Sequence, residues 1–144
     1  MKKKDGVIMI GNKVIVHVLI KTIDGYLVMK RSKEETAYQE YWDIPGGSAE
    51  VGELPREAAI RETKEEAGLD IIPLKVIHEN SRIVEEKKMV YISLFYSCDV
   101  ISDINNIVLQ DDEHTEYRFI KSIDDLEGEK ITPFVMDLFN NIEW

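Results

Sequence analysis

The 144 residues are 44% apolar and carry a formal net charge of −10, so the chain can bury a hydrophobic core beneath an acidic surface. The length fits a single domain over residues 1–144 and is short for two. Because nonspecific binding to DNA or RNA needs a basic surface, the charge argues against polymeric nucleic acid as a partner.

The only cysteine, Cys98, excludes an internal disulfide and any metal site built from several cysteines. It lies in the strand-like run MVYISLFYSCDV, which favours a buried structural thiol over a nucleophile. Lys2–Lys4 resembles the start of a signal peptide, but Asp5 and Gly6 follow and no long apolar stretch does. No run approaches the ~18 uninterrupted apolar residues of a membrane helix. We therefore expect no membrane contact and a reducing cytoplasmic location.

The first part of the chain predicts two strands, a loop and a break. The β-rich runs Val14–Ile20 and Tyr26–Arg31 are separated by a segment in which Asp24-Gly25 is a strong turn signal, so they predict an antiparallel hairpin. The polar run Ser32–Tyr41 predicts a loop. Pro45-Gly46-Gly47 then interrupts regular structure and gives the backbone unusual freedom.

A helix follows this break, and the rest of the chain adds strands and a second helix. Pro55 suits the first helical turn and Gly68 the C-terminal cap of the helix REAAIRETKEEA. The runs DIIPLKVIHE, KKMVYISLFYSCDV and EYRFI predict strands. TPFVMDLFNNI predicts an amphipathic helix with Thr132 as N-cap and Pro133 at the first helical position. This order predicts an α/β fold, a mixed β-sheet flanked by helices.

The first of these helices concentrates carboxylates on one side. At about 100° per residue, Glu62, Glu65 and Glu66 fall on one arc. An adjacent arc suits packing on the sheet and holds Ala59, Ile60, Thr63 and Ala67. Like charges at this spacing destabilise a helix, and acids near its C-terminal end oppose the helix dipole. A hard divalent cation would relieve both effects because it binds oxygen ligands, and a solvated acidic face is the alternative.

The stretch GSAEVGELPREAAIRETKEEAGL, residues Gly47–Leu69, resembles the Nudix box of a hydrolase family. The family pattern is a glycine, five residues, a glutamate, seven residues, Arg-Glu, an aliphatic residue, any residue, Glu-Glu, any residue, a glycine and an aliphatic residue. Eight of these nine specified positions match. The departure is Thr63, where an aliphatic residue is usual. The preceding WDIPGG also resembles the family's lead-in.

This resemblance implies a Nudix-type α/β/α sandwich that hydrolyses a pyrophosphate bond in a nucleoside diphosphate-X compound, using Mg²⁺ (or Mn²⁺) and water. The metal ligands that it implies are Glu62, Glu65, Glu66 and the carbonyl of Gly47. Arg61 would hold Glu53 in position, with a surface ion pair as the alternative. One of the carboxylates would accept the proton of the attacking water.

Members of the family often draw a further acid from a loop beyond the box. The run LQDDEHTEYRFI offers Asp111, Asp112, Glu113 and Glu116. We favour Glu113 as this catalytic and metal-binding acid, and Glu116 after it. His114 is expected to be a neighbouring polar residue rather than a ligand, while His17 and His78 lie in strand-like runs and are expected to be structural.

Substrate contacts are expected around the turn that precedes the box. The expected substrate-binding residues are Arg31, Tyr38, Tyr41, Trp42, Gly46 and Glu116. An arginine suits a phosphate, and the aromatic residues suit stacking on a base. For Trp42, a place in the core is equally open.

The marks of two Nudix subgroups are missing, which bears on the substrate. ADP-ribose enzymes tend to show a proline after the box, near Val84 here, but no proline occurs between Leu74 and Thr132. Dinucleoside polyphosphate enzymes tend to show a tyrosine slightly later, and the first one here is Tyr91. By elimination, the default is a small nucleoside triphosphate, ordinary or oxidised like 8-oxo-dGTP, cleaved to the monophosphate and pyrophosphate.

Other functions remain open at this point. A Nudix-fold nucleotide-binding regulator without catalysis is one, although Arg61 and the three glutamates of the arc are all present. A prenyl diphosphate isomerase of the same fold uses a cysteine ahead of the box, whereas Cys98 lies after it. Hydrolysis at an RNA 5′ end fits poorly with the negative charge. Whether the chain forms a homodimer also stays open.

Overall fold

The structure, a computed structural model, describes residues 2–4, 6–9 and 11–144. The strands in these residues are β1 (Lys2–Lys4), β2 (Val7–Met9), β3 (Gly11–Leu19), β4 (Lys21–Thr22), β5 (Gly25–Arg31), β6 (Trp42–Asp43), β7 (Gly46–Ser48), β8 (Ile71–Glu79), β9 (Arg82–Val84), β10 (Met89–Val100) and β11 (His114–Ile120). The α-helices are α1 (Pro55–Ala67) and α2 (Pro133–Phe139). In this part of the chain, no helix combines the length and apolar character needed to span a membrane.

The larger sheet has the strand order β7–β3–β10–β8, and β9 also pairs with β10. Strands β3 and β10 run parallel, from Gly11 opposite Met89 to Leu19 opposite Ser97. The remaining pairs of this sheet are antiparallel. The sheet is therefore mixed, as the element order predicts.

The predicted hairpin between Val14–Ile20 and Tyr26–Arg31 is wrong in its first strand. Asp24-Gly25 does turn the chain, but the strand that it joins to β5 is the short β4. The first of the two runs belongs to β3 in the larger sheet, while β5 lies in a second sheet of order β11–β5–β4, with β6 beside β5. The physical reason is burial on both faces: Val16 faces one core and Leu19 the other, so β3 takes a central position between two strands.

Two apolar cores lie on opposite sides of the sheets, because successive residues of a strand point to opposite faces. The core under α1 includes Val16, Val18, Leu27, Met29, Ala58, Ala59 and Ala67. The core under α2 includes Leu19, Tyr26, Val28, Phe95, Val135, Leu138 and Phe139. Strand layers covered by a helix on each side form the α/β/α sandwich that the resemblance implied.

Helix α1 begins at Pro55 and ends before Gly68, as predicted, and Gly68 takes the left-handed conformation with a φ of 70°. Its packing face differs from the predicted arc, because Ala58 is buried and Ile60 is exposed. The buried side is centred between Ala59 and Glu66, which leaves Ile60 at its edge. A face of small residues lets the helix lie close to β3 and β7, and it carries Glu66 towards the sheet.

Two further expectations concern Thr132 and Cys98. Thr132 occupies the N-cap position of α2, but its hydroxyl makes no capping hydrogen bond. Cys98 packs against the core under α1, and burial raises the pKa of its thiol to about 11. A thiol in that environment is a poor nucleophile, as expected for a structural cysteine.

Candidate active site

Arg61 and Glu53 brace the loop before α1 against the helix. Arg61 donates from Nε and Nη2 to the two oxygens of Glu53, at 2.8 and 2.9 Å, and from Nη2 to the carbonyl of Ser48 at 3.1 Å. Hydrogen bonding from Arg61, with a further bond from the N–H of Glu50, lowers the pKa of Glu53 to about 2. The contact expected between Arg61 and Glu53 is therefore present, and Glu53 is ionised at neutral pH.

The same guanidinium reaches two carboxylates of α1. Nη1 of Arg61 donates to Glu62 Oε1 at 2.9 Å and to Glu65 Oε2 at 3.3 Å. Burial raises the pKa of Glu62, and the hydrogen bond from Arg61 offsets part of that rise. Arg61 thus orients Glu53, Glu62 and Glu65 together, which is more than a surface ion pair with one partner would do.

Glu66 is the most buried carboxylate of the arc, with 7% of its surface exposed. Its Oε1 accepts a hydrogen bond from the backbone N–H of Gly46 at 2.7 Å. Burial raises the pKa of Glu66 well above its ordinary value; the bond from Gly46 lowers it in part, and the charges of Asp43, Glu62 and Glu113 raise it further. A cation would stabilise a buried carboxylate in such surroundings.

The two glycines of the turn before the box allow close approach of the backbone. A Cβ on Gly47 would lie 2.5 Å from Cδ and from Oε1 of Glu62. A Cβ on Gly46 would collide with the carbonyl of Val16 and with Nδ1 of His17, at 2.5 Å from the latter. The double glycine therefore brings β7 directly against the acidic face of α1.

Glu113, rather than Glu116, joins this acidic face. Glu113, His114 and Glu66 each offer a ligand atom, and these three atoms lie within 4.8 Å of one another. The loop before β11 is fixed by Ser32, whose N–H donates to the carbonyl of Glu113 at 2.8 Å. Glu116 is exposed and pairs with the Arg118 guanidinium at 3.2 Å, so it belongs to the surface of β11.

His114 and Asp43 form a buried pair beside the acids. His114 is 1% exposed, and its Nε2 lies 3.0 Å from Asp43 Oδ1. The expectation that His114 is only a neighbouring polar residue therefore leaves out its position inside the cluster. Asp43 was not predicted at all, although its place in WDIPGG, between a buried tryptophan and the double glycine, was a signal for it.

The guanidinium of Arg31, expected to bind a substrate phosphate, makes its hydrogen bonds to other groups of the protein. It donates to Asp43 Oδ2 at 3.0 Å, to Glu35 Oε2 at 3.3 Å and to the carbonyl of Ala37 at 3.2 Å. These bonds tie the loop Ser32–Tyr41 to β6. The geometry gives Arg31 a structural part that the sequence pattern did not indicate.

Trp42 lies in the core, which is the alternative that the sequence left open. Its side chain is fully buried among residues under α2, and the guanidinium of Arg118 lies 4.6 Å from the ring centroid. A base could not stack on this ring without displacing the core. The substrate-binding expectation for Trp42 is therefore wrong, because β6 pairs its backbone with β5 inside the fold.

A cavity of about 270 Å³ opens beside α2. It is lined by Tyr38, Asn80, Ser81, Arg82, Pro133, Phe134 and Asp137. Tyr38 was predicted as a stacking residue. The polar groups of the cavity come from the turn between β8 and β9, from β9 and from α2, and they were not predicted, since no sequence motif joins them. Tyr41 does not line the cavity, but its ring lies 5.3 Å from that of Tyr38, and the ammonium of Lys130 lies 5.5 Å from its centroid.

His17 connects this cavity to the acidic face. Its ring stacks on Phe134 of the cavity wall at 4.9 Å and on Phe95 at 4.7 Å. Its Nδ1 faces Gly46, whose N–H binds Glu66. Burial lowers the pKa of His17 to about 4, so the ring is neutral at physiological pH. The expected structural role of His17 is compatible with this position.

The donor groups fit a divalent metal ion. Glu62 and Glu66 carry pKa values raised by burial, and Glu113 adds negative charge to both. Carboxylate oxygens are the ligands that Mg²⁺ and Mn²⁺ prefer. The ring nitrogen of His114 that faces Glu66, Nδ1, is buried and has no hydrogen-bond partner within residues 2–4, 6–9 and 11–144.

The family model of the NUDIX domain matches residues 11–141. An uncharacterized Nudix hydrolase of Listeria monocytogenes is 34% identical over 134 residues, which cover 88% of this chain and 76% of that protein. A second, from Listeria innocua, is 46% identical over 59 residues, which cover 40% of this chain and 35% of the relative. This second match thus spans about a third of the relative's length.

Solved structures share the fold. The MutT protein of Methanosarcina mazei Go1 superimposes with a TM-score of 0.75 at 23% identity, covering 90% of this chain and 91% of its own. The MutT Nudix hydrolase of Burkholderia pseudomallei gives a TM-score of 0.77 at 19% identity, covering 92% and 98%. At these identities the likeness concerns the arrangement of strands and helices.

Proposed function

This chain belongs to the Nudix family and is a hydrolase of pyrophosphate bonds, and we propose that its substrate is a small nucleoside triphosphate, ordinary or oxidised. The observation that carries the proposal is the junction at His17 and Gly46, where an aromatic cavity meets a cluster of carboxylates. The rings of Tyr38 and Phe134 contact each other edge to face at 6.3 Å, so a base would bind beside them in the cavity rather than between them, with its phosphates directed towards Glu66. The products would be the nucleoside monophosphate and pyrophosphate.

The residues that would hold Mg²⁺ or Mn²⁺ are Glu62, Glu65, Glu66, Glu113 and the carbonyl of Gly47. When bound, the ion supplies positive charge that offsets the negative charge developing on the phosphate oxygens. Arg61 keeps Glu62 and Glu65 oriented through its bonds at 2.9 and 3.3 Å, and its pair with Glu53 fixes the guanidinium itself.

The reaction needs a proton acceptor and no covalent nucleophile. A water oxygen attacks one phosphorus atom, the anhydride P–O bond breaks, and pyrophosphate leaves. A side-chain carboxylate takes the proton of the water. A carboxylate of the acidic face that does not bind the metal can serve as this acceptor. The partly buried thiol of Cys98, whose pKa is raised to about 11, takes no part.

The test is a panel of nucleotides with detection of pyrophosphate and phosphate, run with Mg²⁺ and with Mn²⁺. The panel contains the ordinary nucleoside triphosphates, 8-oxo-dGTP, ADP-ribose, a dinucleoside polyphosphate and a triphosphorylated RNA oligonucleotide. We expect metal-dependent turnover of a nucleoside triphosphate, with kcat reduced at least about 100-fold by Glu66→Gln. Glu65→Gln should reduce kcat as well.

Three results would reject parts of this proposal. Unchanged turnover in both glutamine variants would remove the catalytic assignment. Tight nucleotide binding without turnover under either metal would favour a regulatory nucleotide-binding protein. Preferred turnover of ADP-ribose, the dinucleoside polyphosphate or the RNA would keep the reaction and replace the substrate.

A further inference from the structure

His114 presents a buried ring nitrogen to the acidic cluster. The side chain is 1% exposed, and its Nδ1 has no hydrogen-bond partner among the described residues. This nitrogen lies 3.7 Å from Glu66 Oε2, which is too long for a hydrogen bond. A buried polar atom without a partner is unfavourable, so its position calls for a ligand.

The bonds of Asp43 determine which ring nitrogen is free. Asp43 accepts from Arg31 Nη1 at Oδ2, at 3.0 Å, and its Oδ1 lies 3.0 Å from His114 Nε2. An ionised carboxylate offers only acceptors, so the proton of the second contact belongs to Nε2. In the neutral imidazole, Nδ1 then carries a lone pair, and that lone pair faces Glu66.

This arrangement matches the outer-shell pattern of metal-binding histidines. Such a histidine donates its other ring N–H to a carboxylate, which fixes the ring orientation and raises the basicity of the ligand nitrogen. Here Asp43 is that carboxylate, and Arg31 in turn holds Asp43. The ligand atoms of Glu66, Glu113 and His114 lie within 4.8 Å of one another, a slightly wider spacing than around one bound ion.

We propose that Nδ1 of His114 is a direct ligand of the divalent metal, together with carboxylate oxygens of Glu66 and Glu113. The site would then be a mixed nitrogen and oxygen site rather than one of oxygens alone. Imidazole favours transition metals over Mg²⁺, so the chain should bind Mn²⁺ more tightly than Mg²⁺. The inference concerns the site of the proposed function, but it requires only that the metal binds.

Pulsed EPR on the protein loaded with Mn²⁺ alone tests the proposal without any turnover. We expect ¹⁴N modulation from a coordinated imidazole in the wild-type protein. Replacing all histidine with ¹⁵N-histidine should replace that signal with the ¹⁵N pattern. Bound Mn²⁺ without coupling to histidine nitrogen in the wild-type protein overturns the proposal, and this measurement needs no variant to fold.

The variant His114→Gln tests whether the nitrogen coupling comes from His114 rather than from another histidine. The glutamine amide can still donate to Asp43 but has no lone pair at the place of Nδ1, so the coupling should vanish and the Kd for Mn²⁺ should rise about tenfold or more. His78→Gln is the matched control, because His78 pairs with Asp137, which lies outside the cluster of Glu66 and Glu113. It should keep both the coupling and the Kd. Coupling that persists in His114→Gln also overturns the proposal.

The two proposals fail separately. Histidine coupling with no turnover of any nucleotide would leave the ligand assignment standing and reject the proposed function. Nucleotide turnover in a protein whose Mn²⁺ shows no histidine coupling would keep the proposed function and reject His114 as a ligand.

Discussion

The backbone of Gly47 lies directly against the carboxylate of Glu62. A methyl group on this glycine would come within 2.5 Å of both Cδ and Oε1 of the glutamate. Gly47 does not have a positive φ, so backbone strain does not explain the residue. Glycine is required here because the carboxylate of Glu62 occupies the space that a side chain would need. The position of β7 therefore depends directly on a carboxylate of the acidic face of α1.

Gly47→Ala should therefore impair catalysis more than folding. The end of a glutamate side chain can move away from a new methyl group, but Glu62 then leaves its bond with Arg61 and its place beside Glu113. We expect kcat to fall at least about tenfold, the effect of a modest displacement of a positioned group, while the unfolding midpoint in urea changes little. Steady-state kinetics and urea denaturation of the same preparations measure the two effects.

Gly128→Ala provides the opposite control. Gly128 has a φ of +82°, and a Cβ there would meet nothing within 4 Å. Strain without a collision should lower the stability by about 1–2 kcal/mol and leave kcat unchanged. A Gly47→Ala enzyme with full activity would show that the close approach to Glu62 has no functional role.

The pattern of α1 is the part of the site that its own sequence predicts best. Glu62, Glu65 and Glu66 recur at helical spacing, and the helix bounds follow from Pro55 and Gly68, because these rules act within a few residues. The double glycine likewise predicted a break with unusual backbone freedom. Local chemistry of this kind is readable without a structure.

The parts that could not be predicted depend on contacts between distant segments. Asp43 and His114 are separated by 71 positions and meet only because β6 and β11 both pair with β5. The place of β3 in the larger sheet, rather than in a hairpin with β5, has the same origin. Both faces of β3 are buried by residues distant in the sequence, such as Phe95. Trp42 shows a different error. It was expected to bind substrate because it lies next to a functional turn in the sequence, but its side chain is buried in the core.

Glu66→Gln is expected to stabilise the protein while it removes activity. The pKa of Glu66 is raised in the fold from 4.5. Below about pH 4.5 the carboxyl is protonated in both the folded and the unfolded chain, so the variant should match the wild type there. As the pH rises from that point towards the folded pKa, the unfolded chain loses its proton first, and the wild type loses stability that the glutamine variant keeps.

Urea denaturation in EDTA between pH 4 and pH 8 measures this difference. At the upper end the variant should be more stable by roughly 1 kcal/mol or more, because a buried charge is replaced by a neutral group of the same shape. Glu65→Gln is the control, since Glu65 is half exposed and its change should stay within about 0.5 kcal/mol. A Glu66→Gln protein that is less stable than the wild type at pH 8 would contradict the burial argument.

Tyr38 should contribute to nucleotide affinity through stacking. It lines the cavity beside Phe134, and the residue is 42% exposed. Loss of one base–aromatic contact amounts to about 1–3 kcal/mol, so Tyr38→Ala should raise KM roughly 5- to 150-fold with kcat little changed. Tyr117→Ala is the control, because Tyr117 is equally exposed at 41% but lies on β11 outside the cavity. An equal change of KM in both variants would remove the cavity as the base site.

Trp42→Phe should act on stability and not on the substrate. The ring is fully buried in the core under α2, and the guanidinium of Arg118 lies on it at 4.6 Å. Phenylalanine leaves part of that volume empty and weakens the contact with Arg118, so we expect a loss of about 1–3 kcal/mol. KM for the nucleotide should stay within twofold of the wild type, as roughly expected for a residue that does not touch it.

Trp144→Phe is the matched tryptophan control. Trp144 is 42% exposed, and its Nε1 donates to the carbonyl of Phe139 at 3.2 Å. Removing one partly exposed hydrogen bond should lower the stability by about 0.5–1.5 kcal/mol, less than the change at Trp42. If Trp42→Phe instead raised KM while its unfolding midpoint stayed at the wild-type value, Trp42 would have to contact the substrate. The packing under α2 would then have to open for the base, because the ring is closed off from solvent on every side.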